Sequence, residues 1–247
     1  MKFTWIAGPS FVLEVGPFRI FGDPVLANEF KLPDLGEVTR IAAPPNPVLF
    51  SGGADLVLIT SLRPDHFDPS ALARLEPGTV LAPLKTPGAR ALAWSENYQL
   101  AKEGMTLTIT AVEASSTGVE ATEHDNGYFL RLDGGTQPFT AYVTGDTLFS
   151  EATRTLQREH GYSNLLVLYL GAERTGNGSA RSAGAKEGMQ IVYRMQPNAI
   201  AAVHHGTFSH YTEAIEPFLE NIDLTIYEKR LRRLAEGQSF EKASGLA

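Results

Sequence analysis

The stretch that decides the fold is DLVLITSLRPDHFD, residues 55–68. Its apolar first half predicts a short buried strand, because it lacks the alternation of a half-exposed one. Asp65 and His66 follow shortly after that strand ends, where folds with buried strands place ligand-binding residues. Such a pair is typical of half a metal site. A dinuclear site would need further histidines just before it, and Ser61 and Arg63 stand there instead.

Two more predicted strands end in polar residues of the same kind. FTAYVTGD ends at Asp146, and AIAAVHHG ends at His204 and His205. With the Asp-His pair, these residues supply two carboxylates and two or three imidazoles, a ligand set that suits a divalent ion such as zinc. For any single histidine, a buried or capping role is the alternative. The agreement of three strand ends favours a metal site.

Composition limits the class of protein. The chain has 247 residues, no cysteine, a net charge of −7 and a pI near 5.4. Thiolate ligands and a cysteine nucleophile are therefore excluded, and the acidic balance argues against nucleic-acid binding. No apolar run approaches the roughly 18 residues of a membrane span, so a cytoplasmic protein without stable membrane insertion is expected. A small-molecule substrate is the expected partner, and the oligomeric state is left open.

The rest of the chain predicts short strands and a few helices. DPSALARLEP predicts a helix with Asp68 as its N-cap, and later helices are predicted over TLQREH, AKEGMQIVYRMQP, TEAIEPFLENI and EKRLRRLAEG. Residues 27–53 show no clear periodicity and predict a long surface excursion. Residues 171–184, GAERTGNGSARSAG, predict a mobile loop because they are rich in glycine, serine and arginine.

Five segments together resemble the metallo-β-lactamase fold superfamily, and within it the branch of lactonase-like and N-acylphosphatidylethanolamine phospholipase D-like hydrolases. They occur in the family's order and are FTWIAGPSFVLEVGPFRIFGDPVL, DLVLITSLRPDHFD, TITAVEASS, YVTGDTLFS and AVHHGTF. The resemblance implies an α+β fold, a four-layer αββα sandwich. It also implies one domain over residues 1–247, built of two similar halves, about 1–115 and 116–247.

The departures from the family's pattern fall on metal ligands. The family's first metal takes histidines at positions that are Ser61, Arg63 and Ser115 or Ser116 here, and another frequent histidine is replaced by Pro9. The second metal's ligands all match, and these are Asp65, His66, Asp146 as the bridge, and His204. The resemblance therefore implies a degenerate motif in which one metal site is emptied and the other is kept.

Physical chemistry suggests what replaced the first metal. A guanidinium cannot coordinate a cation and would repel one. We expect Arg63 to pair with Asp146 and to replace the lost charge, stabilising an anionic substrate or intermediate. The prediction is a hydrolase of small esters, lactones or phosphoesters with at most one metal, which is zinc or manganese. Asp65, Asp146 and Arg63 are its predicted catalytic residues.

The alternative is a metal-free, non-catalytic protein of the same fold. In that case Asp65 would be a structural acid that accepts hydrogen bonds from loop amides, and Asp146 would form a salt bridge with Arg63. A choice between the two hypotheses requires the geometry of the strand ends.

The remaining candidates have secondary roles. His205, Ser61 and Ser116 are predicted substrate contacts, and His124 is a candidate for a displaced third ligand. His210 is interpreted as a loop or capping histidine. Three others are given ordinary roles: Asp23 as a turn residue before proline, although the resemblance places it near the site, and Arg174 and Arg181 as solvated loop residues.

Overall fold

Two seven-stranded sheets form the centre of the molecule. The computed structural model describes residues 1–114 and 125–242. The first sheet has the order β16-β1-β2-β3-β6-β7-β8. Its strands, in chain order, are β1 (Lys2–Ala7), β2 (Ser10–Val15), β3 (Phe18–Gly22), β6 (Ala54–Leu58), β7 (Pro77–Ala82), β8 (Arg90–Ala91) and β16 (Ser239–Glu241).

The second sheet has the order β15-β14-β13-β12-β11-β10-β9. An antiparallel meander at one side leads into three strands that run parallel to β12. Its strands are β9 (Asn97–Lys102), β10 (Met105–Glu113), β11 (Asn126–Asp133), β12 (Phe139–Val143), β13 (Leu165–Tyr169), β14 (Ile200–Val203) and β15 (Leu231–Arg232).

Helices cover the outer faces of both sheets. One apolar cluster, with Phe11 and Tyr128 among its members, draws on both sheets and fills the space between them. On the outer face of the first sheet pack a 3-10 turn (Pro47–Phe50) and α1 (Pro69–Leu75). On the second pack α2 (Glu151–His160), α3 (Ala185–Met195) and α4 (Glu216–Asp223). The predicted αββα sandwich is confirmed.

Local chemistry explains where α1 begins and ends. The Asp68 carboxylate accepts hydrogen bonds from the backbone N–H groups of Ser70 and Ala71, at 2.8 and 3.3 Å, as an N-cap does. Pro69 occupies the first turn, where its missing N–H costs nothing. The helix stops at Glu76, whose φ of 43° is left-handed. This cap fixes α1 directly behind the turn that carries Asp65 and His66.

One sequence prediction is incomplete and one is wrong. Residues 27–53 lie mostly at the surface, as expected, but they also contain a hairpin of β4 (Glu29–Leu32) and β5 (Gly36–Thr39). Its residues Leu32 and Val38 pack with Phe208 because they share one face of the ribbon. The last predicted helix, over EKRLRRLAEG, is a 3-10 turn (Glu228–Arg230) followed by β15. Pairing of Leu231 with β14 outweighs helix propensity there.

None of the helices in residues 1–114 and 125–242 has both the length and the apolar character that a membrane crossing requires.

Candidate metal centre

The four predicted metal ligands come together at the ends of three strands. Nε2 of His66 lies 3.7 Å from Oδ2 of Asp65 and 3.2 Å from Oδ2 of Asp146. Nδ1 of His204 lies 3.5 Å from Oδ1 of Asp146. All four side chains are fully buried. We call Asp65, His66, Asp146 and His204 the ligand cluster.

Strand ends and special backbone conformations place these side chains. Asp146 follows β12 through Gly145, whose φ is +61°. A Cβ at that glycine would lie 2.7 Å from the Asn126 carbonyl oxygen, so no other residue fits without displacement. His204 follows β14 with a φ of +62°, unusual for a histidine, and its N–H donates to the Gly8 carbonyl at 2.7 Å. Strain of this kind is typical of functional sites.

Asp23 orients His66. Nδ1 of the imidazole lies 2.9 Å from Oδ2 of Asp23, a carboxylate that also accepts from the backbone N–H of Thr60 at 2.7 Å and the Tyr169 hydroxyl at 2.9 Å. Because a carboxylate oxygen accepts hydrogen bonds, Nδ1 is the donor in this contact, and Nε2 is the ring nitrogen that faces Asp146. Asp23 is therefore more than the turn residue expected from its local sequence, because it is buried and holds a site histidine, close to the site as the resemblance implies.

Burial and neighbouring charges set the protonation of the cluster. Burial lowers the pKa of His204 to about 3, so its imidazole is neutral at pH 7. Burial also opposes the charge on Asp146, yet His204, His66 and Arg63 hold the pKa of this carboxyl below its usual value. For His66 burial is outweighed by Asp146, Asp65 and Asp23, which raise its pKa well above the usual value.

The buried donor atoms fit a bound cation. Both carboxylate oxygens of Asp146, Nε2 of His66 and both ring nitrogens of His204 have no hydrogen-bond partner among the described residues. Unpaired polar atoms in the interior are costly, and in folded proteins they are almost always satisfied. One ligand atom each from Asp65, His66 and His204 lies within 4.8 Å of the others. The donor set therefore suits a divalent metal ion.

Arg63 does not pair with Asp146 as expected. Its Nε lies 3.3 Å from Oδ1 of Asp65, and its Nη2 forms a short contact with Oε1 of Glu173. The side chain is 11% exposed, and the adjacent carboxylates Asp65 and Glu173 outweigh burial and raise the pKa of the guanidinium further. The expected partner is wrong. Glu173, in the loop after β13, contacts the guanidinium instead of Asp146.

Two buried residues of the site were not predicted. Glu173 is fully buried, and burial together with Asp65 and Asp146 raises the pKa of its carboxyl well above the usual value. His210, interpreted from sequence as a loop residue, has its Nε2 3.1 Å from Oδ2 of Asp65. Glu173 follows a buried strand, as the predicted ligands do. A search for polar residues after buried strands could therefore have found it. No comparable signal marks His210.

The loop after β13 is ordered by its own contacts. Thr175 and Arg181 donate backbone hydrogen bonds to Ser179 and Glu173, both within the loop. Arg181 is buried and lies between carboxylates, with Nη1 3.7 Å from Asp125 and Nε 3.9 Å from Glu173. The prediction of solvation is therefore wrong for Arg181, whereas Arg174 is exposed.

The weaker candidates are placed as follows. Ser61 is buried, and its hydroxyl accepts a hydrogen bond from the Arg63 backbone N–H at 3.3 Å. His205 turns to Trp5, with ring centroids 4.7 Å apart, and burial lowers its pKa to about 4. Ser116 and His124 lie outside the described residues.

Solved structures with this arrangement of strands come from several sources. An isothiocyanate hydrolase from Delia radicum gut bacteria is 20% identical, with a TM-score of 0.75 over 98% of this chain and 99% of that one. A possible metal-dependent hydrolase from Veillonella parvula is 18% identical, with a TM-score of 0.76 over 97% and 98%. Igni18, a metallo hydrolase from Ignicoccus hospitalis, is 16% identical, with a TM-score of 0.68 over 98% and 99%.

At these identities the likeness concerns the fold. Comparison with curated proteins gives no match. A family model described as "Beta-lactamase superfamily domain" matches residues 2–227, which is most of the chain and includes the whole ligand cluster. This chain therefore belongs to the β-lactamase superfamily domain family.

Proposed function

We propose that the chain is a metal-dependent hydrolase of small ester, lactone or phosphoester substrates, from the lactonase-like branch of its superfamily. The ligand cluster would hold one ion, zinc or manganese. The observation that carries this proposal is the set of unpartnered atoms around Asp146: both of its oxygens and the facing imidazole nitrogens are buried without a hydrogen-bond partner in the described residues. A cation is the partner that such a set lacks.

A divalent ion in this set supplies Lewis acidity and lowers the pKa of a water that it binds. The chain's own residues do the rest. Asp65 and Asp146 are the carboxylates that can accept a proton from the attacking water and orient it. Arg63 lies beside Asp65, with Nη1 unpartnered among the described residues. Its guanidinium is the group that would stabilise negative charge on the substrate, in place of the lost first metal.

The metal-free alternative requires two contacts that are absent from the described residues. It requires Asp146 to pair with Arg63, which instead contacts Asp65 and Glu173. It also requires loop amides that donate to Asp65, whose contacts within the described residues are to side chains. These differences favour the metal-dependent hypothesis.

The test compares the wild-type protein with His204→Asn. We expect about one tightly held equivalent of zinc or manganese after purification, and a melting temperature that falls on adding chelator, because an ion bound at about 1,000 times its Kd stabilises by about 4 kcal/mol. His204→Asn should lose both the metal and the chelator effect. His160→Asn, a histidine on α2 that stacks on Phe129, is the matched control and should keep both.

Hydrolysis is measured on the same samples. The panel contains a lactone, an aryl ester, a phosphodiester and an isothiocyanate, the last because a protein of similar fold hydrolyses that class. Turnover that disappears with chelator and returns with metal supports the proposal. A metal content near zero, with no thermal shift on adding zinc or manganese, overturns it in favour of the metal-free alternative.

A further inference from the structure

Two side chains near the ligand cluster turn their polar ends inward without a partner. Arg40 and Tyr211 are both partly exposed, and side chains of these types normally direct their polar ends to water. Here Nε and Nη1 of Arg40 and the hydroxyl of Tyr211 are buried, and these atoms have no hydrogen-bond partner among the described residues. Because such atoms are costly in the interior, the pair indicates a site for a polar group that comes from outside the chain.

Tyr211 connects this pair to the ligand cluster. Its ring centroid lies 4.5 Å from that of His204. The same ring lies 6.0 Å from that of Phe208, and the guanidinium carbon of Arg40 stands 4.6 Å from the centroid of the Phe208 ring. A group that binds to both Arg40 and Tyr211 would therefore lie next to the metal centre.

The Arg40 guanidinium is held in place by contacts that leave two of its nitrogens available. Nη2 donates a hydrogen bond to the Ala27 carbonyl at 3.2 Å, and the Phe208 ring supports the guanidinium through a cation–π contact. The backbone N–H of Arg40 donates to the Asn28 carbonyl at 2.7 Å. The side chain is thus oriented before any ligand binds, which reduces the entropy that binding would cost.

The charge of Arg40 is not neutralised by an ion pair within 4 Å among the described residues, whereas Nε of Arg63 lies 3.3 Å from a carboxylate oxygen. Burial lowers the pKa of the Arg40 guanidinium, and attraction to Glu236 offsets this effect only in part. Oε1 of Glu236 accepts hydrogen bonds from the Gly8 N–H and the Thr207 hydroxyl, and not from Arg40. An anion is the ligand that would satisfy the two free nitrogens and the charge together.

We propose that Arg40 and Tyr211 bind an anionic oxygen group of the substrate, a carboxylate or a phosphate. This inference rests on the proposed function and narrows its substrate class to compounds that carry such a group in addition to the bond that is hydrolysed. The guanidinium supplies charge, and the phenol hydroxyl donates a hydrogen bond. Because the bound group is remote from the reacting bond, the two residues position the substrate and determine specificity.

Anion binding is measured first, without turnover. Inorganic phosphate and acetate are titrated separately into the chelator-treated and the manganese-loaded full chain, at constant ionic strength, by isothermal titration calorimetry. In both states we expect Arg40→Gln to weaken binding of the preferred anion by about 10–100-fold, the effect of losing a charge-assisted hydrogen bond. Arg40→Lys, which keeps the charge, and Tyr211→Phe should lose less. Arg74→Gln, at an exposed position of α1, is the matched control and should bind as the wild type does.

Substrate preference is measured next, with two esters that differ by one carboxylate. These are phenyl acetate and the monophenyl ester of succinic acid. We expect the wild type to prefer the succinate ester, and Arg40→Gln to reduce the ratio of the two kcat/KM values by about 10–100-fold, mainly through the KM of the succinate ester. Circular dichroism verifies that each variant is folded, and Arg40→Lys and Tyr211→Phe test the same site if Arg40→Gln is not.

The outcomes separate this inference from the proposed function. A wild type that binds neither anion, or an affinity for both anions that is unchanged in Arg40→Gln and Tyr211→Phe, would overturn the anion site. Bound metal and turnover of phenyl acetate would in that case leave the proposed function intact. Anion binding that depends on Arg40 in a chain that holds no metal would overturn the proposed function and support the anion site.

Discussion

Two groups of buried charges lie side by side at these strand ends, and their difference is instructive. In the ligand cluster, Asp146 faces imidazoles and both of its oxygens lack a hydrogen-bond partner among the described residues. In the neighbouring group, which we call the arginine cluster and which consists of Arg63, Arg181, Glu173 and Asp125, each carboxylate lies within 4 Å of a guanidinium. Among these buried acids, Asp146 is therefore the one whose surroundings indicate a metal, because its ion-pair neighbours in the described residues are imidazoles and not guanidiniums.

The largest effect is expected from removing the cation of the arginine cluster. Arg63→Met leaves Asp65 buried without a guanidinium and Glu173 with only the more distant Arg181, and breaking a buried pair in this way costs about 3–5 kcal/mol. Urea unfolding in chelator measures the loss. Arg131→Met is the matched control, since Arg131 pairs with Asp133 on the surface, where such pairs contribute about 0–1 kcal/mol.

A double variant sharpens the same comparison. If the loss in Arg63→Met comes from an uncompensated charge, Arg63→Met combined with Glu173→Gln should recover part of the stability. An additive loss would instead mean that Arg63 stabilises the fold by packing. It would also weaken the distinction between the two clusters.

The next largest effect concerns the pH dependence of stability through Asp125. Burial, with the nearby charge of Asp146, raises the pKa of this carboxyl to about 6. The unfolded value is about 3.9, so the folded state binds the proton more tightly, and its contribution to stability is present below pH 4 and lost as pH rises to 6. The difference corresponds to about 3 kcal/mol.

Asp125→Asn should therefore be more stable than the wild type at pH 8 in chelator, by up to about 3 kcal/mol. The advantage should shrink toward pH 5. Bound metal should reduce it as well, because an ion on Asp146 neutralises the charge that repels Asp125. Urea unfolding at both pH values, with and without manganese, measures these differences. Parallel pH profiles for variant and wild type would contradict the assignment.

The two clusters also differ in how far the sequence predicts them. Asp146 and His204 follow apolar runs directly, so a local pattern is enough to place them at strand ends. Arg63 meets Glu173 across 110 positions of sequence, and no local pattern contains that pairing. His210 lies near Asp65 because Phe208 packs against the β4–β5 hairpin. The prolines and glycines of residues 27–53 interrupt the sequence pattern that would have predicted this hairpin. Strand ends were predictable, whereas partners brought together by loops were not.

The smallest expected effect concerns Asp23, which orients His66 of the ligand cluster through a contact with Nδ1. In Asp23→Asn, the side-chain amide can keep its oxygen toward the Thr60 N–H and turn its NH₂ group toward Nδ1 of His66. That nitrogen would then accept, and the imidazole proton would move to Nε2, the atom that faces Asp146. A metal would have to displace this proton, so its affinity should fall by about 10–100-fold, or about 1.4–2.7 kcal/mol.

Competition with a metal indicator measures the affinity, and ¹⁵N chemical shifts of the imidazole report which nitrogen is protonated. Asp55→Asn is the control, since Asp55 pairs with Lys102 at a partly exposed position and should leave the affinity unchanged. A lower affinity with an unchanged tautomer would mean that Asp23 acts through its charge alone. An unchanged affinity would mean that the ligand cluster is held by its strands, and that the network behind His66 contributes only to the core.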